Sequence, residues 1–543
     1  MEISGNIVDV INSRVYAGTI MVRDGRIAAI RGDGKSHKTW IVPGFVDSHV
    51  HIESSMLIPS EFARIAAVQG TVAAVCDPHE IANVLGVEGV EFMLANARSS
   101  PFRFCFGAPS CVPATPFETA GGSLGPAEIE YLVQKDEIKF LAEMMNFPGV
   151  INRDPAVMER LRIAKRYGKP VDGHAPGLRG EALKRYIDAG ITTDHETFTF
   201  EEGREKLSLG MKLLIRSGSA AHDFDVLSPL ISSHPGQCMF CTDDLHPDHL
   251  VKGHINEIIK KGLGQGIDIF TLLRCACLNP AAHYGLDVGL LRRGDYADFL
   301  EVDGLKSLNV LQTFIRGQCL ARDGRPLAAN VPLPPGGCPN RFGIGKKRPG
   351  DFSLKAKAGR VNVIEALEGM IVTGWAVEEP KIAGGNVVPD AARDMLKIAV
   401  VNRYTEAPPA LGLIRNFGLK QGAMASSVAH DSHNIVAVGV GDAELCDAVN
   451  LVIENRGGLS AVAPGFCEVL PLPVAGIMSD EDGYLVAEKY SRMDATAKLL
   501  GSKLRAPFMT LSFMALPVIP KLKMTDRGLF DAERFRFVDL QMA

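Results

Sequence analysis

Residues 41–51 read Ile-Val-Pro-Gly-Phe-Val-Asp-Ser-His-Val-His, an apolar run that closes on two histidines one residue apart. Successive side chains of a β-strand point to opposite faces, so His49 and His51 lie on the same face. Neutral imidazole is the commonest metal ligand among side chains. The run therefore predicts a strand that carries half of a catalytic metal site at its carboxyl end. Taken alone, the pair also fits two ordinary surface or core histidines.

Four more side chains of metal-binding type stand at or near the ends of short apolar runs, namely Glu143, His174, His195 and Asp243. Segments with helical periodicity lie between the runs, at 80–97, 155–167 and 180–189. The strand-like runs number eight, at 41–51, 70–77, 102–109, 139–145, 170–174, 191–195, 212–218 and 238–243. Strands that alternate with helices indicate a parallel sheet, and eight such units in about 250 residues are typical of an α/β fold, the (β/α)8 TIM barrel, whose active site lies at the carboxyl ends of the strands.

The order His-x-His, carboxylate, His, His, Asp along one barrel resembles the amidohydrolase superfamily of metal-dependent hydrolases. Seven strings resemble the adenine deaminases of that superfamily: PGFVDSHVHIESSM (43–56), CDPHEIANV (76–84), AEMMNFPGV (142–150), DGHAPGL (172–178), TTDHE (192–196), CTDDLHP (241–247) and AHDSHNIVAVG (429–439). The resemblance covers nearly the whole chain. It implies hydrolysis of adenine to hypoxanthine and ammonia by a metal-bridging hydroxide, a reaction of purine salvage and adenine catabolism.

The same resemblance implies a cofactor of two divalent metal ions. The first is expected on His49, His51 and Asp243, the second on His174 and His195, and both on Glu143, where many relatives carry a carboxylated lysine. Two ions about 3.5–4 Å apart can share a hydroxide, because the pKa of a metal-bound water falls to about 7. Mn2+ is the first choice, and Fe2+ and Zn2+ suit these ligands as well.

Two aspartates are expected to act on the substrate. Asp243 can take the proton of the attacking water and pass it to the leaving group, since a carboxylate within reach can act first as base and then as acid. Asp244 is expected to accept a hydrogen bond from a purine N–H, as the neighbouring aspartate does in related purine deaminases.

One departure from related deaminases concerns the proton for the purine ring. Single-metal deaminases carry a glutamate three residues after the fifth-strand histidine, whereas here His174 is followed by Ala-Pro-Gly. Glu80 is the leading candidate for protonating N1, with Glu53 and Glu196 behind it as substrate-binding residues, and His79 is expected to contact the substrate beside Glu80. Each carboxylate also fits a helix cap, a partner of a metal ligand or a solvated group.

Histidines and cysteines elsewhere have more ordinary interpretations. The string 430–434, His-Asp-Ser-His-Asn, forms either a polar turn before an apolar strand at 435–440 or a lid over the barrel mouth. His246, His249 and His254 are expected on the surface after the eighth strand, with rim contacts at most. Cys238 and Cys241 have CxxC spacing inside a predicted strand, which favours buried packing over redox or zinc chemistry.

Length and composition set the domain organisation. A chain of 543 residues exceeds what one core usually serves. Residues 43–292 are expected to form the barrel, 1–42 and 293–331 a small flanking β-sandwich, 332–350 a Pro- and Gly-rich linker, and 351–543 a C-terminal α+β domain of adenine-deaminase type.

Charge and hydropathy restrict the partners. A net charge of −5 without long runs of one sign argues against nucleic acid. No signal peptide or run of about 18 apolar residues is evident, so we expect no membrane partner and a cytoplasmic location. Eleven scattered cysteines fit reduced thiols. A homo-oligomer, a dimer in the first instance, is expected.

Two other functions are compatible with a barrel of this kind. The first is hydrolysis of a cyclic amide, as in dihydroorotases and hydantoinases, which typically carry lysine where this chain has Glu143. The second is a non-catalytic barrel used for binding, which would show gaps in the ligand set. The sequence shows none.

Overall fold

The computed structural model describes residues 1–219, 223–357 and 359–542. The first part of the chain contributes to a mixed sheet made from both flanks of the central region. Its strands are β1 (Glu2–Asp9), β2 (Arg14–Arg23), β3 (Arg26–Gly32), β4 (Trp40–Pro43), β13 (Phe299–Val302), β14 (Val310–Ile315), β15 (Gln318–Arg322) and β16 (Arg325–Pro326). They pair in the order β16-β15-β14-β13-β4-β1-β2-β3. The two flanks are thus joined by β4 and β13 within one continuous sheet, and its division into the two layers of a sandwich stays a prediction.

The central region contains eight parallel strands. They are β5 (Phe45–Val50), β6 (Thr71–Cys76), β7 (Arg103–Ala108), β8 (Ile138–Met144), β9 (Val171–Gly173), β10 (Thr193–Asp194), β11 (Lys212–Arg216) and β12 (Cys238–Cys241). β5 to β9 form one sheet and β10 to β12 another. Parallel bridges join Val171 to Ile191 and Val50 to Asp243, so the two sheets meet at both edges and the parallel sheet curls. Every residue of β5 and β6 is buried, as in parallel strands covered on both faces.

The first predicted strand, 41–51, is divided in the structure. β4 belongs to the flanking sheet and β5 to the curled sheet, with Gly44 between them. A Cβ atom at Gly44 would lie 2.4 Å from both Cγ atoms of Val72, so only glycine fits where the chain passes from one sheet to the other.

Helices follow the parallel strands. They are α1 (Pro59–Val68), α2 (His79–Leu85), α3 (Val87–Ala97), α4 (Pro126–Val133), α5 (Phe147–Ile151), α6 (Pro155–Arg166), α7 (Gly180–Asp188), α8 (Phe200–Ser208), α9 (Phe224–Ser233), α10 (Pro247–Leu250), α11 (Ile255–Gly264), α12 (Ile269–Leu273) and α13 (Asn279–Tyr284). The helix predicted at 80–97 is two helices, because Gly86 adopts a φ of +66° between them.

The last third of the chain is built on a second eight-stranded sheet. Its strands pair in the order Thr373–Glu378 (β19), Val361–Ala366 (β18), Ala410–Arg415 (β23), Met395–Val401 (β22), Ile435–Gly439 (β25), Ala423–Ser426 (β24), Gly458–Ala463 (β26) and Phe466–Pro471 (β27). Two small sheets accompany it, formed by Leu354–Lys355 (β17), Lys381–Ala383 (β20) and Asn386–Val388 (β21), and by Leu522–Thr525 (β28), Gly528–Asp531 (β29) and Arg536–Phe537 (β30). Three helices complete this part, α14 (Asp442–Glu454), α15 (Gly483–Leu499) and α16 (Pro507–Ser512).

The two faces of the C-terminal sheet pack against different partners. Ala399 and Val401 point towards α14, where they meet Leu445. Ile398 and Val400, on the opposite face, join the same apolar core as the curled sheet. Because side chains alternate along β22, one face of the strand packs on α14 and the other face shares an apolar core with the central region. Such packing brings side chains from both parts to the same place.

Among the described residues, no helix combines the length and the apolar character needed to span a membrane. All eleven cysteines lie in the described part of the chain and are free. Cys238 and Cys241 are buried within β12, as their predicted role in packing requires.

Candidate active site

The six expected metal ligands converge at the carboxyl end of the curled sheet. They are His49 on β5, His51 directly after β5, Glu143 on β8, His174 after β9, His195 after β10 and Asp243 after β12. Five are buried, and His174 is partly buried with 13 % of its side chain exposed. Ligand-type atoms lie within 4.8 Å of one another in three overlapping groups: His51 and Glu143 with Asp77 and His79, His49 with His195 and Asp243, and Glu143 with His174 and His195. The carboxyl ends of different strands thus place residues 194 positions apart around one point.

His49, His51 and Asp243 form the first set of candidate ligands. The Nε2 atoms of His49 and His51 lie 3.2 Å apart, and Asp243 Oδ1 lies 3.4 Å from the first and 3.2 Å from the second. His51 Nδ1 donates to the carbonyl of Asp77 at 3.0 Å, which leaves the lone pair of Nε2 facing the group. One carboxylate oxygen and two imidazole nitrogens therefore meet where one ion could be held.

Glu143 lies between this first set and a second set, His174 and His195, with one carboxylate oxygen towards each. Its Oε1 lies 3.3 Å from His51 Nε2, whereas Oε2 lies 2.6 Å from His174 Nδ1 and 3.2 Å from His195 Nε2. Burial raises the pKa of the Glu143 carboxyl, but the two neighbouring histidines outweigh this and hold it well below its usual range. The donor set of imidazole nitrogens and carboxylate oxygens fits two divalent ions of the manganese, iron or zinc type, with Glu143 between them.

Arg216 is a site residue that the sequence did not reveal. Its side chain is 1 % exposed at the end of β11, and it donates to Asp243 Oδ2 at 2.9 Å and to Asp223 Oδ2 at 2.7 Å. It also donates to both oxygens of Glu196. A single buried guanidinium thus fixes Asp243, which adopts a left-handed φ of +59°. The signal in the sequence for this site residue was a charged side chain that ends the apolar run Leu213-Leu214-Ile215.

Asp244 has one oxygen engaged. Ser54 Oγ donates to its Oδ1 at 2.5 Å, and the residue lines the cavity next to Asp243. Burial, together with repulsion from Asp243, raises the pKa of Asp244.

The three candidate glutamates for ring protonation have different environments. Glu80, at the start of α2, accepts from His430 Nδ1 and, at 2.6 Å, from His433 Nε2. Glu196 is held by Arg216. Glu53 accepts from the backbone N–H of Ile81 at 3.1 Å, and burial raises its pKa to about 7. Glu80 and Glu196 line the cavity, whereas Glu53 is absent from its described lining.

His79 lies between the candidate metal ligands and the C-terminal part of the chain. Its Nδ1 is 3.4 Å from Glu143 Oε1 and its Nε2 is 3.8 Å from Asp431 Oδ1. The structure therefore brings every sequence-predicted site residue to one place, and all of them except His49 and Glu53 line the cavity.

The C-terminal part closes the cavity. Its contribution to the lining is Ile371, His430, Asp431, Phe513, Leu516, Val518 and Ile519. A second, mostly apolar cavity shares Met145, Ile371, Val518 and Ile519 with the first and extends along loops that follow the parallel strands. The string 430–434 forms a turn before β25, and its residues His430 and Asp431 line the cavity, while a role as a lid stays a prediction.

The expectation that His246 and His254 are surface residues is wrong. Both are 3 % exposed, because His246 is hydrogen-bonded to Tyr490 at 2.5 Å and His254 contacts Thr71 at 2.6 Å and Asp47 at 2.9 Å. Each side chain fills a packed polar position beneath a loop. His249 is the exposed member of the three.

Comparison with known proteins agrees with this geometry. The model of the amidohydrolase family matches residues 40–320, and the model of the adenine deaminase C-terminal domain matches residues 370–536. The chain is 52 % identical over 540 residues to an adenine deaminase of Sulfurovum sp. (strain NBC37-1), covering 99 % of both chains. It is 50 % identical over 549 residues to an adenine deaminase of Methanosarcina mazei, covering 99 % of this chain and 98 % of that one. The chain belongs to the amidohydrolase family and, within it, to the adenine deaminases.

Among solved structures, a β-aspartyl dipeptidase from Fervidobacterium islandicum AW-1 aligns with a TM-score of 0.47 and 14 % identity over 60 % of this chain and 97 % of that chain.

Proposed function

We propose that this protein deaminates adenine hydrolytically, giving hypoxanthine and ammonia in purine salvage. The observation that carries the proposal is the position of Glu143, with one oxygen towards each of two histidine groups, at the floor of a cavity that Asp244 also lines. Relatives named adenine deaminase, which align with the chain from end to end, support the choice of substrate.

We propose two divalent metal ions as the cofactor, with Mn2+ as the first choice and Fe2+ and Zn2+ as alternatives. The residues that would hold them are His49, His51 and Asp243 for one ion, His174 and His195 for the other, and Glu143 for both. When bound, such ions lower the pKa of water and supply hydroxide at neutral pH.

Asp243 and Asp244 divide the work on the substrate in this proposal. Asp243 takes a proton from the attacking water and returns it to the amine as the C6–N bond breaks, while Arg216 fixes its Oδ2 at 2.9 Å. Asp244 accepts from a purine N–H, because Ser54 occupies only one of its oxygens. Glu80 takes part in the protonation of the purine ring, and His79, Glu53 and Glu196 support the substrate pocket around it.

The domain organisation that supports this site is proposed as follows. Residues 43–292 form a (β/α)8 barrel, 1–42 and 293–331 a flanking β-sandwich, 332–350 a linker and 351–543 the C-terminal domain. The eight parallel strands, which meet at Val50 and Asp243, support the first of these assignments. A dimer and a cytoplasmic location stay predictions from the sequence.

The test is a substrate panel. Purified protein loaded with Mn2+ is incubated with adenine, adenosine, dihydroorotate and hydantoin, and ammonia and ring-opened products are measured. We expect adenine to react fastest, giving hypoxanthine and ammonia in equal amounts, and adenosine to react poorly because of the ribose on N9. Faster turnover of adenosine would contradict the choice of the free base, and faster turnover of a cyclic amide would contradict deamination.

A further inference from the structure

A loop of the C-terminal part contacts the carboxylate of Glu80, which lies 350 residues earlier in the chain. His430 and His433, on the loop before β25, are hydrogen-bonded to the two oxygens of Glu80. All three side chains are at least 97 % buried. Neither Glu80 oxygen is left without a histidine partner, so the carboxylate is an acceptor on both sides.

The protonation state of His433 follows from its second nitrogen. The backbone N–H of Ala429 donates to His433 Nδ1 at 3.2 Å, so Nδ1 carries a lone pair and no proton. The proton of the neutral ring is therefore on Nε2, which donates to Glu80 Oε2 at 2.6 Å. Burial also holds the pKa of His433 below its usual value. His433 is a fixed neutral donor.

His430 is placed differently. Its ring stacks on Phe513 with centroids 4.6 Å apart and an angle of 17° between the planes. Nδ1 bonds to Glu80, while Nε2 is buried, belongs to a residue that lines the cavity and has no hydrogen-bond partner among the described residues. A buried polar atom of this kind needs a partner, and the substrate cavity is where one can come from.

The charges around His430 favour a protonated ring. The titratable groups that face it are Glu80 from α2, Asp244 and His246 from the segment after β12, and Asp431 and His433 from its own loop. Burial lowers the pKa of His430, but the carboxylates of Glu80 and Asp244 outweigh it and raise the pKa to about 9. Burial raises the pKa of Glu80, yet the two histidines hold it well below its usual range. At neutral pH the transferable proton is on the histidine.

We propose that His430 is the catalytic acid that protonates N1 of the purine, and that Glu80 and His433 are positioning residues that hold its ring. This inference rests on the proposed deamination of adenine. It places the proton donor outside the barrel, on the C-terminal part of the chain. A carboxylate that orients an imidazole and stabilises its charged form is a recurrent arrangement for such a donor.

The proposed step balances as follows. As the oxygen of water adds to C6, the electron pair of the C6=N1 bond moves to N1, and N1 takes the proton of His430 Nε2. Asp243 passes the first proton of the water to the amine, and ammonia leaves as the C6–N bond breaks. The second proton of the water is released when C6=O forms, and it restores His430. The proton given to N1 remains in hypoxanthine.

The first test replaces His430 with glutamine, whose amide N–H reaches the same place but cannot transfer a proton. We expect kcat to fall by about 10²–10⁴ with KM changed less than about threefold and the metal content unchanged. The control is His249→Gln, a partly exposed histidine outside the cavity. A kcat of His430→Gln within about threefold of the parent enzyme would overturn the proposal.

The second test is a pH profile, which a structural role of these residues would not move. In the parent enzyme kcat/KM should fall as pH rises through about 9, because the donor loses its proton. Glu80→Gln removes the negative charge that raises the pKa of His430, so this alkaline limb should move to lower pH, and His430→Gln should abolish it. An unmoved limb in Glu80→Gln would overturn the proposal even if His430→Gln fails to fold. If the parent enzyme itself leaves adenine unchanged, the proposed function fails.

Discussion

Asp243 and Asp244 are adjacent in sequence, yet their replacement by asparagine should have separable effects. Asp243 Oδ1 faces His49 and His51, and Oδ2 accepts from Arg216. If the amide nitrogen of asparagine replaces Oδ2, it opposes the N–H donors of Arg216. If it replaces Oδ1, it cannot bind the metal ion expected beside His49 and His51. Asparagine tolerates the φ of +59° at this position, so the backbone should not be strained. We expect Asp243→Asn to lose metal and to lower kcat by about 10²–10⁴.

Asp244→Asn should act on binding instead. The asparagine carbonyl oxygen can still accept from Ser54, which turns the amide nitrogen towards the cavity and the purine N–H. A hydrogen bond to a charged group contributes about 1.5–3 kcal/mol, and each 1.36 kcal/mol is a tenfold change, so kcat/KM for adenine should fall by about 10- to 150-fold. The metal content should stay at the level of the parent enzyme.

The assay combines initial rates on adenine with elemental analysis of the same samples. Asp225→Asn, whose side chain is 61 % exposed, is the matched control and should change neither quantity. Equal loss of metal from the Asp243 and Asp244 variants would refute the division of roles. So would a change of less than about threefold in kcat/KM for Asp244→Asn.

Three further predictions concern the metal site and stability. Elemental analysis should find two divalent ions per chain in fully active protein and at most one in Glu143→Gln. The exposed control Glu137→Gln should keep both ions. One ion in fully active protein would rule out the paired site. Arg216→Met leaves two buried carboxylates and the partly buried Asp223 without their counter-charge. It should lower the free energy of unfolding in urea by about 3–5 kcal/mol, and a loss below about 1 kcal/mol would show that the cluster is not stabilising. Burial lowers the pKa of Lys523 to about 7, below the ordinary 10.4 or so, and the unfolded chain therefore binds more protons between these values. The free energy of unfolding should rise from about pH 7 to 10, and Lys523→Met should remove the rise; parallel pH profiles of the two proteins would contradict this.

The curled sheet could be predicted because its strands are short apolar runs that end in polar residues. Buried parallel strands need apolar side chains on both faces, and catalytic residues stand at their carboxyl ends, so runs such as 238–243 show both the strand and the site. The division of 41–51 at Gly44 was not predictable from the run itself, because the reason is a close approach to Val72 on the neighbouring strand. The apolar run is continuous in sequence, but its two strands, β4 and β5, belong to different sheets.

The parts of the site that sequence alone did not supply are its long-range contacts. His430 and Glu80 are 350 positions apart, and a local pattern contains no information about which carboxylate a distant histidine meets. The string 430–434 therefore had two interpretations, a polar turn before a strand and a part in the active site. Arg216 was missed for a related reason. A charged residue at a strand end is ordinary until three carboxylates from different segments are seen around it.

The C-terminal part also lines the cavity with apolar side chains, in addition to the role proposed for His430. Lys523, completely buried, donates to the carbonyls of Ile371 and Phe513 at 2.7 and 2.9 Å, and both of these residues line the cavity. Together with Leu516 and Ile519 they form an apolar wall opposite the metal-type side chains. Charges interact more strongly where such a wall excludes water, so the wall should strengthen the attraction between Glu80 and His430, which line the same cavity. We expect the curled sheet to provide the metal ligands, and the C-terminal part to provide the low-dielectric surroundings in which the proposed proton donor acts.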